Sequence, residues 1–229
     1  MIEKDLTAQN DNSFLFNGNK IVINERAIVL DVDGVLLSFD DGYLNVARKI
    51  IGSHVIKASN EYALTKRYNI TDEQNQKVWD ALNNGEMGNL PMYKGADIAF
   101  KKLQDAGYDI HLVTGIWEES KDMRLENLSR FGMIPKTIDC VGTGRSKKDL
   151  AIAQYSPKYF VDDRLEHIND ALFVPNRVWV DLNDQQFGLT PNNVTFTTSS
   201  FANWVENSNV LKVNFENDIQ APRARMRMR

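Results

Sequence analysis

Short apolar runs and stretches of helical period alternate along most of this chain. The segment Phe14-Leu15-Phe16-Asn17-Gly18-Asn19-Lys20-Ile21-Val22-Ile23 sets an Asn-Gly pair between two β-prone runs, which predicts a hairpin of structural role. The next run, Ala27-Ile28-Val29-Leu30, reads as a buried strand and delivers Asp31 and Asp33 into a turn at Gly34. At positions i and i+2 of an ideal strand, both carboxylates would leave one face. Open α/β sheets place their sites at the carboxyl ends of such strands.

From Leu36 to Tyr93 the period becomes helical, with Leu44, Ala47 and Ile51 near one face and Val78 with Leu82 on another. Thr71-Asp72-Glu73-Gln74 fits a capping box, in which Thr and Gln side chains satisfy backbone donors reciprocally. Strand and helix then alternate. A helix over Ala96, Phe100 and Leu103 stops near Gly107; a strand over Tyr108–Val113 runs into Thr114-Gly115. A helix carrying Leu125 and Leu128 stops near Gly132 and precedes the strand Thr137–Val141. Lys147–Tyr155 reads as a helix before Tyr159-Phe160-Val161, which runs into Asp162-Asp163-Arg164; Ile168–Leu172 reads as a helix before Arg177–Asp181. Such alternation predicts a parallel sheet, interrupted once by a helical insertion.

Composition suits one large domain or a core plus a small cap: 229 residues, 42% of them hydrophobic. No apolar stretch approaches membrane-spanning length, and Met1-Ile2-Glu3-Lys4-Asp5 lacks a secretory h-region, so a cytoplasmic protein with no membrane partner is expected. The single cysteine, Cys140, precludes an intrachain disulfide and reads as a packing residue. A net charge of −4 argues against a surface built for polyanions. The Arg-rich end, Pro222–Arg229, has no packing period and reads as a partly disordered tail.

The chemistry-bearing positions fall at strand ends in a fixed order: Asp31-Val32-Asp33-Gly34-Val35, then Thr114-Gly115, then Ser146-Lys147-Lys148 at a helix start, then Val161-Asp162-Asp163. In that order they resemble the motifs of the haloacid dehalogenase-like (HAD) hydrolase superfamily, over roughly residues 27–182. The resemblance implies an α/β fold, a Rossmann-like three-layer sandwich whose central parallel sheet has strand order 5-4-1-2-3, with a small inserted helical cap of C1 type. The corresponding division is a core over 1–35 and 94–210, a cap over 36–93 and a tail over 211–229.

The resemblance also implies roles. Asp31 would be the nucleophile that forms an aspartyl-phosphate, and Asp33 the acid/base that protonates the leaving oxygen and later activates water. Thr114, with the Gly115 amide, would bind a phosphoryl oxygen; Lys147 fits the phosphate-neutralising position, with Lys148 its immediate rival. Mg²⁺ would be held by Asp31, the backbone carbonyl of Asp33 and Asp162, with Asp163 a ligand directly or through water. The second acid, Asp33, resembles the phosphatase branch and not the dehalogenases.

The expected reaction is therefore Mg²⁺-dependent hydrolysis of a phosphomonoester, on a small phosphorylated metabolite or a nucleotide. A polynucleotide 3′-phosphatase acting on a nucleic-acid end, a phosphomutase, and a catalytically weak binding or regulatory module are the alternatives; the residues do not set an oligomeric state. His54, His111 and His167 show no metal-ligand spacing and read as packing or surface residues. Trp117 reads as a residue packed under a loop or as a pocket floor, and Asp40 with Asp41 as helix-start residues.

Overall fold

The computed structural model describes residues 13–16, 19–142, 144–182, 189–212 and 215, with only the backbone described at 14–16, 19 and 145–148. The first strands, β1 (Ser13–Phe16) and β2 (Asn19–Val22), pair antiparallel with Phe16 opposite Asn19. The Asn17-Gly18 pair between them lies outside the described residues.

Next in the chain come β3 (Asn24–Leu30), α1 (Phe39–Ile50), α2 (Leu64–Arg67), α3 (Asp72–Asn83) and a 3-10 turn at Glu86–Asn89. After it follow α4 (Ala96–Asp105), β4 (Asp109–Thr114), a second 3-10 turn at Glu118–Ser120, α5 (Lys121–Arg130), β5 (Thr137–Cys140) and α6 (Arg145–Tyr155). The last elements are β6 (Pro157–Asp162), α7 (Leu165–Asp170), β7 (Asn176–Val180), β8 (Phe196–Thr198), α8 (Phe201–Asn207) and a 3-10 turn at Val210–Lys212.

Strands β3 to β8 form one parallel sheet in the order β5-β4-β3-β6-β7-β8. Counted from β3, the first five stand in the order 5-4-1-2-3 when read from β7 to β5. The sixth strand, β8, is an addition beyond that order. Its three residues carry no alternating pattern, and Phe196 stays 39% exposed, so periodicity gives it no signal. Two helices also start earlier than expected, α6 at Arg145 and α7 at Leu165, the latter directly after Arg164, whose amide the Asp162 side chain accepts.

Alternation along β3 sorts the core into two layers. Ile28 and Leu30 join Phe100, Leu103, Ile110, Leu112 and Trp204 on one face, while Val29 joins Val113, Ile152, Phe160 and Ile168 on the other. This is a helix–sheet–helix sandwich of the Rossmann-like α/β class. Glycine stops α4 and α5 as the pattern requires, with positive φ at Gly107 and Gly132.

Helices α1 to α3 occupy the stretch between β3 and β4, and their buried Tyr43, Val46, Val78 and Leu82 belong to the same apolar cluster as Leu30. Ser38 caps α1, and the predicted capping box is present on α3, with Gln74 N–H donating to Thr71 Oγ1 at 3.2 Å and Thr71 N–H to Gln74 Oε1 at 2.9 Å. The insertion leaves and rejoins the sheet at one place: Ser38 N–H donates to Pro91 O at 2.8 Å and Tyr93 N–H to Leu36 O at 3.0 Å. Near the other terminus, buried Phe215 meets Tyr108 edge-on at 5.1 Å, and its carbonyl accepts from Arg26 at 3.0 Å. The Arg-rich end of the chain lies outside the described residues. Among the described residues, no helix is long and apolar enough to cross a membrane.

Candidate active site

The backbone amide of Asp31 donates to Val161 O at 2.9 Å, carrying the β3–β6 ladder one residue past β3 and fixing Asp31 beside the end of β6. Its carboxylate is 6% exposed, and Oδ1 accepts the Val32 amide at 2.8 Å. Beyond this point the chain leaves the sheet. The amides of Leu36 and Leu37 turn back to Val32 O, and Gly34 N–H donates to Leu37 O. Asp33 therefore takes its place from this turn and not, as an ideal strand would have it, from a shared face with Asp31. Gly34 has φ +83°, and a Cβ there would stand 2.3 Å from the Asp163 carboxylate, so the turn and the approach of Asp163 both require glycine.

At the end of β6, Asp162 is fully buried, with Oδ1 accepting the Arg164 amide at 2.8 Å and Oδ2 lying 3.0 Å from His167 Nδ1. One ligand atom each of Asp31, Asp162 and His167 lies within 4.8 Å of the others. Asp163 stands apart from this group, against Gly34, its carbonyl accepting the Trp179 indole N–H at 3.0 Å.

Thr114 closes β4 with no exposed surface, and its Oγ1 is buried without a hydrogen-bond partner among the described residues. Gly115 follows it, exposed, on the cavity wall. Lys147 and Lys148 fall in the first turns of α6, and their side chains lie outside the described residues. Cys140 sits half-buried in β5, where burial pushes its thiol up to about 11.

Asp31, Asp33, Thr114, Gly115 and Asp163 all line one cavity of about 1020 Å³. Its opposite wall comes from the insertion, with Phe39, Tyr62 and Trp79 among the lining side chains. Trp117 lines it too: the ring lies flat enough against Gly142 that a Cβ there would come within 2.8 Å, yet 59% of the residue is exposed. Trp117 is thus a braced wall and not a buried prop. Arg164 bridges the two sides, its guanidinium 4.4 Å from the centre of the Tyr62 ring, a cation–π contact. Burial raises the Tyr93 phenol, also in the wall, to about 12, so it stays protonated at neutral pH.

Asp40, read as a helix-start residue, does more than start α1. Burial pushes its carboxyl up, but the Lys57 hydrogen bond and the Arg67 charge outweigh burial and hold it below the ordinary value. It thereby ties α1 to the loop and helix that follow, with Tyr68 Oη also bonding its carboxylate at 3.1 Å.

Two residues escaped the sequence reading. His167 belongs to the carboxylate group, a correction to its expected packing or surface role; the available signal is its position five residues after Asp162, in the first turn of α7. Arg124 is fully buried in α5 and donates from Nη2 to Asp33 Oδ2 at 3.0 Å. It stands four residues before buried Leu128, so helical period alone puts this charge on the inner face. His54 is exposed, whereas His111 packs inside β4, 4.0 Å from the Tyr155 ring, with burial lowering its proton affinity.

No family model and no curated relative matches the sequence. Solved structures do match in fold. A protein of Clostridium acetobutylicum described as a predicted phosphatase superposes with a TM-score of 0.57 at 15% identity, over 82% of this chain and 99% of its own. A HAD family hydrolase from Deinococcus radiodurans R1, with bound phosphate and sodium, gives 0.54 at 14% identity over 78% and 92%. A dehalogenase gives 0.54 at 16% identity over 80% and 97%. With its five core strands in the order 5-4-1-2-3 and its acidic residues at the ends of adjacent strands, the chain has the fold of the haloacid dehalogenase-like hydrolases.

Proposed function

We propose that the chain is a Mg²⁺-dependent phosphomonoester hydrolase working through an aspartyl-phosphate on Asp31. The observation that carries this reading is the meeting of buried Asp31 and the unpartnered Thr114 hydroxyl on one cavity, with fully buried Asp162 grouped with Asp31 and with His167 of the cavity wall. Carboxylates crowd the cavity wall, so an anionic substrate needs cationic help there. The hard oxygen donors of Asp31 and Asp162 fit Mg²⁺, with the Asp33 carbonyl as the further donor implied by the family pattern. When bound, Mg²⁺ would neutralise phosphoryl charge. His167 would hold Asp162 in its ligating orientation.

The protein's own groups supply the remaining steps. Asp31, held by the Val32 amide, attacks phosphorus and splits one difficult displacement into two easier ones. Thr114 Oγ1 donates to a phosphoryl oxygen and so gains the partner it lacks. Asp33 passes a proton to the leaving oxygen and then takes one from the attacking water. Lys147 or Lys148 neutralises the phosphate from the α6 start. The insertion acts as the cap, and the aromatic side chains of Phe39, Tyr62, Trp79 and Trp117 suit a compact substrate with a planar or apolar part, such as a nucleotide.

The test is phosphate release from an aryl phosphate, sugar phosphates, nucleotides and 3′-phosphorylated oligonucleotides, with Mg²⁺ or EDTA. Release that needs Mg²⁺ and is lost in Asp31→Asn supports the reading. No release from any class by folded, Mg²⁺-loaded protein overturns it.

A further inference from the structure

Arg124 is the largest side chain with no exposed surface among the described residues, and it does not line the cavity. Its Nη2 donates to Asp33 Oδ2 at 3.0 Å and lies 3.3 Å from Met87 Sδ, while Nε and Nη1 are buried with no partner among the described residues. A buried guanidinium with two idle donor nitrogens is a costly arrangement for stability, so the fold alone does not call for it. Its neighbours along α5 have plainer work. Asn127 donates to Leu90 O at 3.0 Å and Arg130 to Gly88 O at 2.9 Å, so these two already fasten the returning end of the insertion to α5. Arg124 is the member of this stripe that reaches past the insertion to a carboxylate of the site.

We propose that Arg124 is a positioning residue that anchors Asp33 through the contact at 3.0 Å and fixes the rotamer in which this cavity-lining carboxylate stands. The catalytic part of this proposal rests on the hydrolytic reading above. Physical need for an anchor is clear from the surroundings. Asp33 shares the cavity wall with Asp31 and Asp163, and like charges would drive a 24% exposed carboxylate toward solvent. A fixed, buried cation opposes that drift. Because the cation is itself immobile, it holds one rotamer; a surface lysine would follow the carboxylate wherever it moved.

The experiment compares Arg124→Met and Arg124→Lys in the wild-type and Asp33→Asn backgrounds, by kinetics on an alkyl phosphate, thermal melting and crystallography. In Arg124→Met we expect a protein that still melts cooperatively, kcat lower by about 10- to 100-fold, and KM within about 2-fold because Arg124 touches no substrate. The same change in the Asp33→Asn background should lower kcat by less than about 2-fold, since the residue it acts through is already disabled. An equal loss in both backgrounds, or an unchanged kcat in the wild-type background, overturns the proposal. Should Arg124→Met fail to fold, Arg124→Lys carries the same comparison, because it keeps the charge but loses the reach and fork. Absence of turnover in the wild type would strike the hydrolytic reading alone. The anchoring would then be decided by the crystal structures: an Asp33 carboxylate displaced in Arg124→Met upholds it, and one unmoved refutes it.

Discussion

His167 Nδ1 lies 3.0 Å from Asp162 Oδ2, while Asp162 Oδ1 takes the Arg164 amide, so both oxygens of a fully buried carboxylate are held before any cation arrives. Such outer partners set the orientation of a ligating carboxylate, and losing one typically weakens metal binding about 10- to 100-fold. His167→Ala should therefore raise the Mg²⁺ concentration needed for half-maximal binding by that factor, with little change in melting temperature in EDTA. Calorimetric titration with Mg²⁺ alone measures it. Unchanged affinity would leave His167 a packing residue.

Asp33 invites a prediction about leaving groups. If it protonates the departing oxygen, Asp33→Asn should lower kcat by about 10²- to 10⁴-fold on an alkyl phosphate, whose leaving group is poor. On a nitrophenyl phosphate, which departs without help, the loss should be much smaller. Equal losses on both esters would assign Asp33 a role in structure or metal binding only.

The sheet and the strand-end acids were legible because their signals are local. Ala27–Leu30 is apolar without interruption, Gly107 and Gly132 stop helices, and Asp31, Thr114 and Asp162 each follow an apolar run directly. What was not legible arises from contacts across long separations. Arg124 meets Asp33 across 91 positions, and nothing in the local sequence of α5 announces that an inward-facing arginine has a carboxylate to meet. Strand β8 is short and half-exposed, and owes its pairing to β7 and not to any pattern of its own. His167 has no histidine or cysteine at ligand spacing, and its partner is instead the carboxylate five residues earlier, at the end of β6.

Thr114 separates stability from function. Its Oγ1 is fully buried without a partner among the described residues, which costs stability unless a ligand supplies one. Thr114→Val keeps the shape and removes the orphan oxygen. It should melt at or above the wild-type temperature, by up to about 1 kcal/mol in stability, while kcat/KM falls about 10²-fold as a phosphoryl contact is lost. Loss of stability together with activity would show that the hydroxyl serves the fold.

Gly34→Ala tests the turn that places Asp33. The new Cβ would meet the Asp163 carboxylate at 2.3 Å on a backbone of φ +83°, a conformation costing an L-residue roughly 1–2 kcal/mol before the clash is relieved. Melting should show at least that loss. Trimming the obstacle in Gly34→Ala/Asp163→Ala should return the clash portion and leave the backbone portion. A double variant no more stable than the single one would mean that the backbone strain dominates.

Asp40 sets the pH response of the insertion. Its carboxyl is held below the ordinary 3.8 despite burial, chiefly by the Lys57 hydrogen bond and the Arg67 charge. A carboxyl lowered on folding contributes stability that is complete well above its unfolded value and disappears as pH falls through its folded one. Asp40→Asn should therefore destabilise the protein at neutral pH by about 1.5–3 kcal/mol, the scale of hydrogen bonds to charged groups. The gap between wild type and variant should narrow once pH drops below 3.8 and close at still lower pH. Thermal melts of both proteins across that range measure the gap directly. Because Asp40, Arg67 and Tyr62 all line the cavity, substrate KM should rise over the same acid range in the wild type, and the variant should show the raised KM at every pH. A gap that stays constant with pH would show that the Lys57 and Arg67 contacts do not hold the insertion in place.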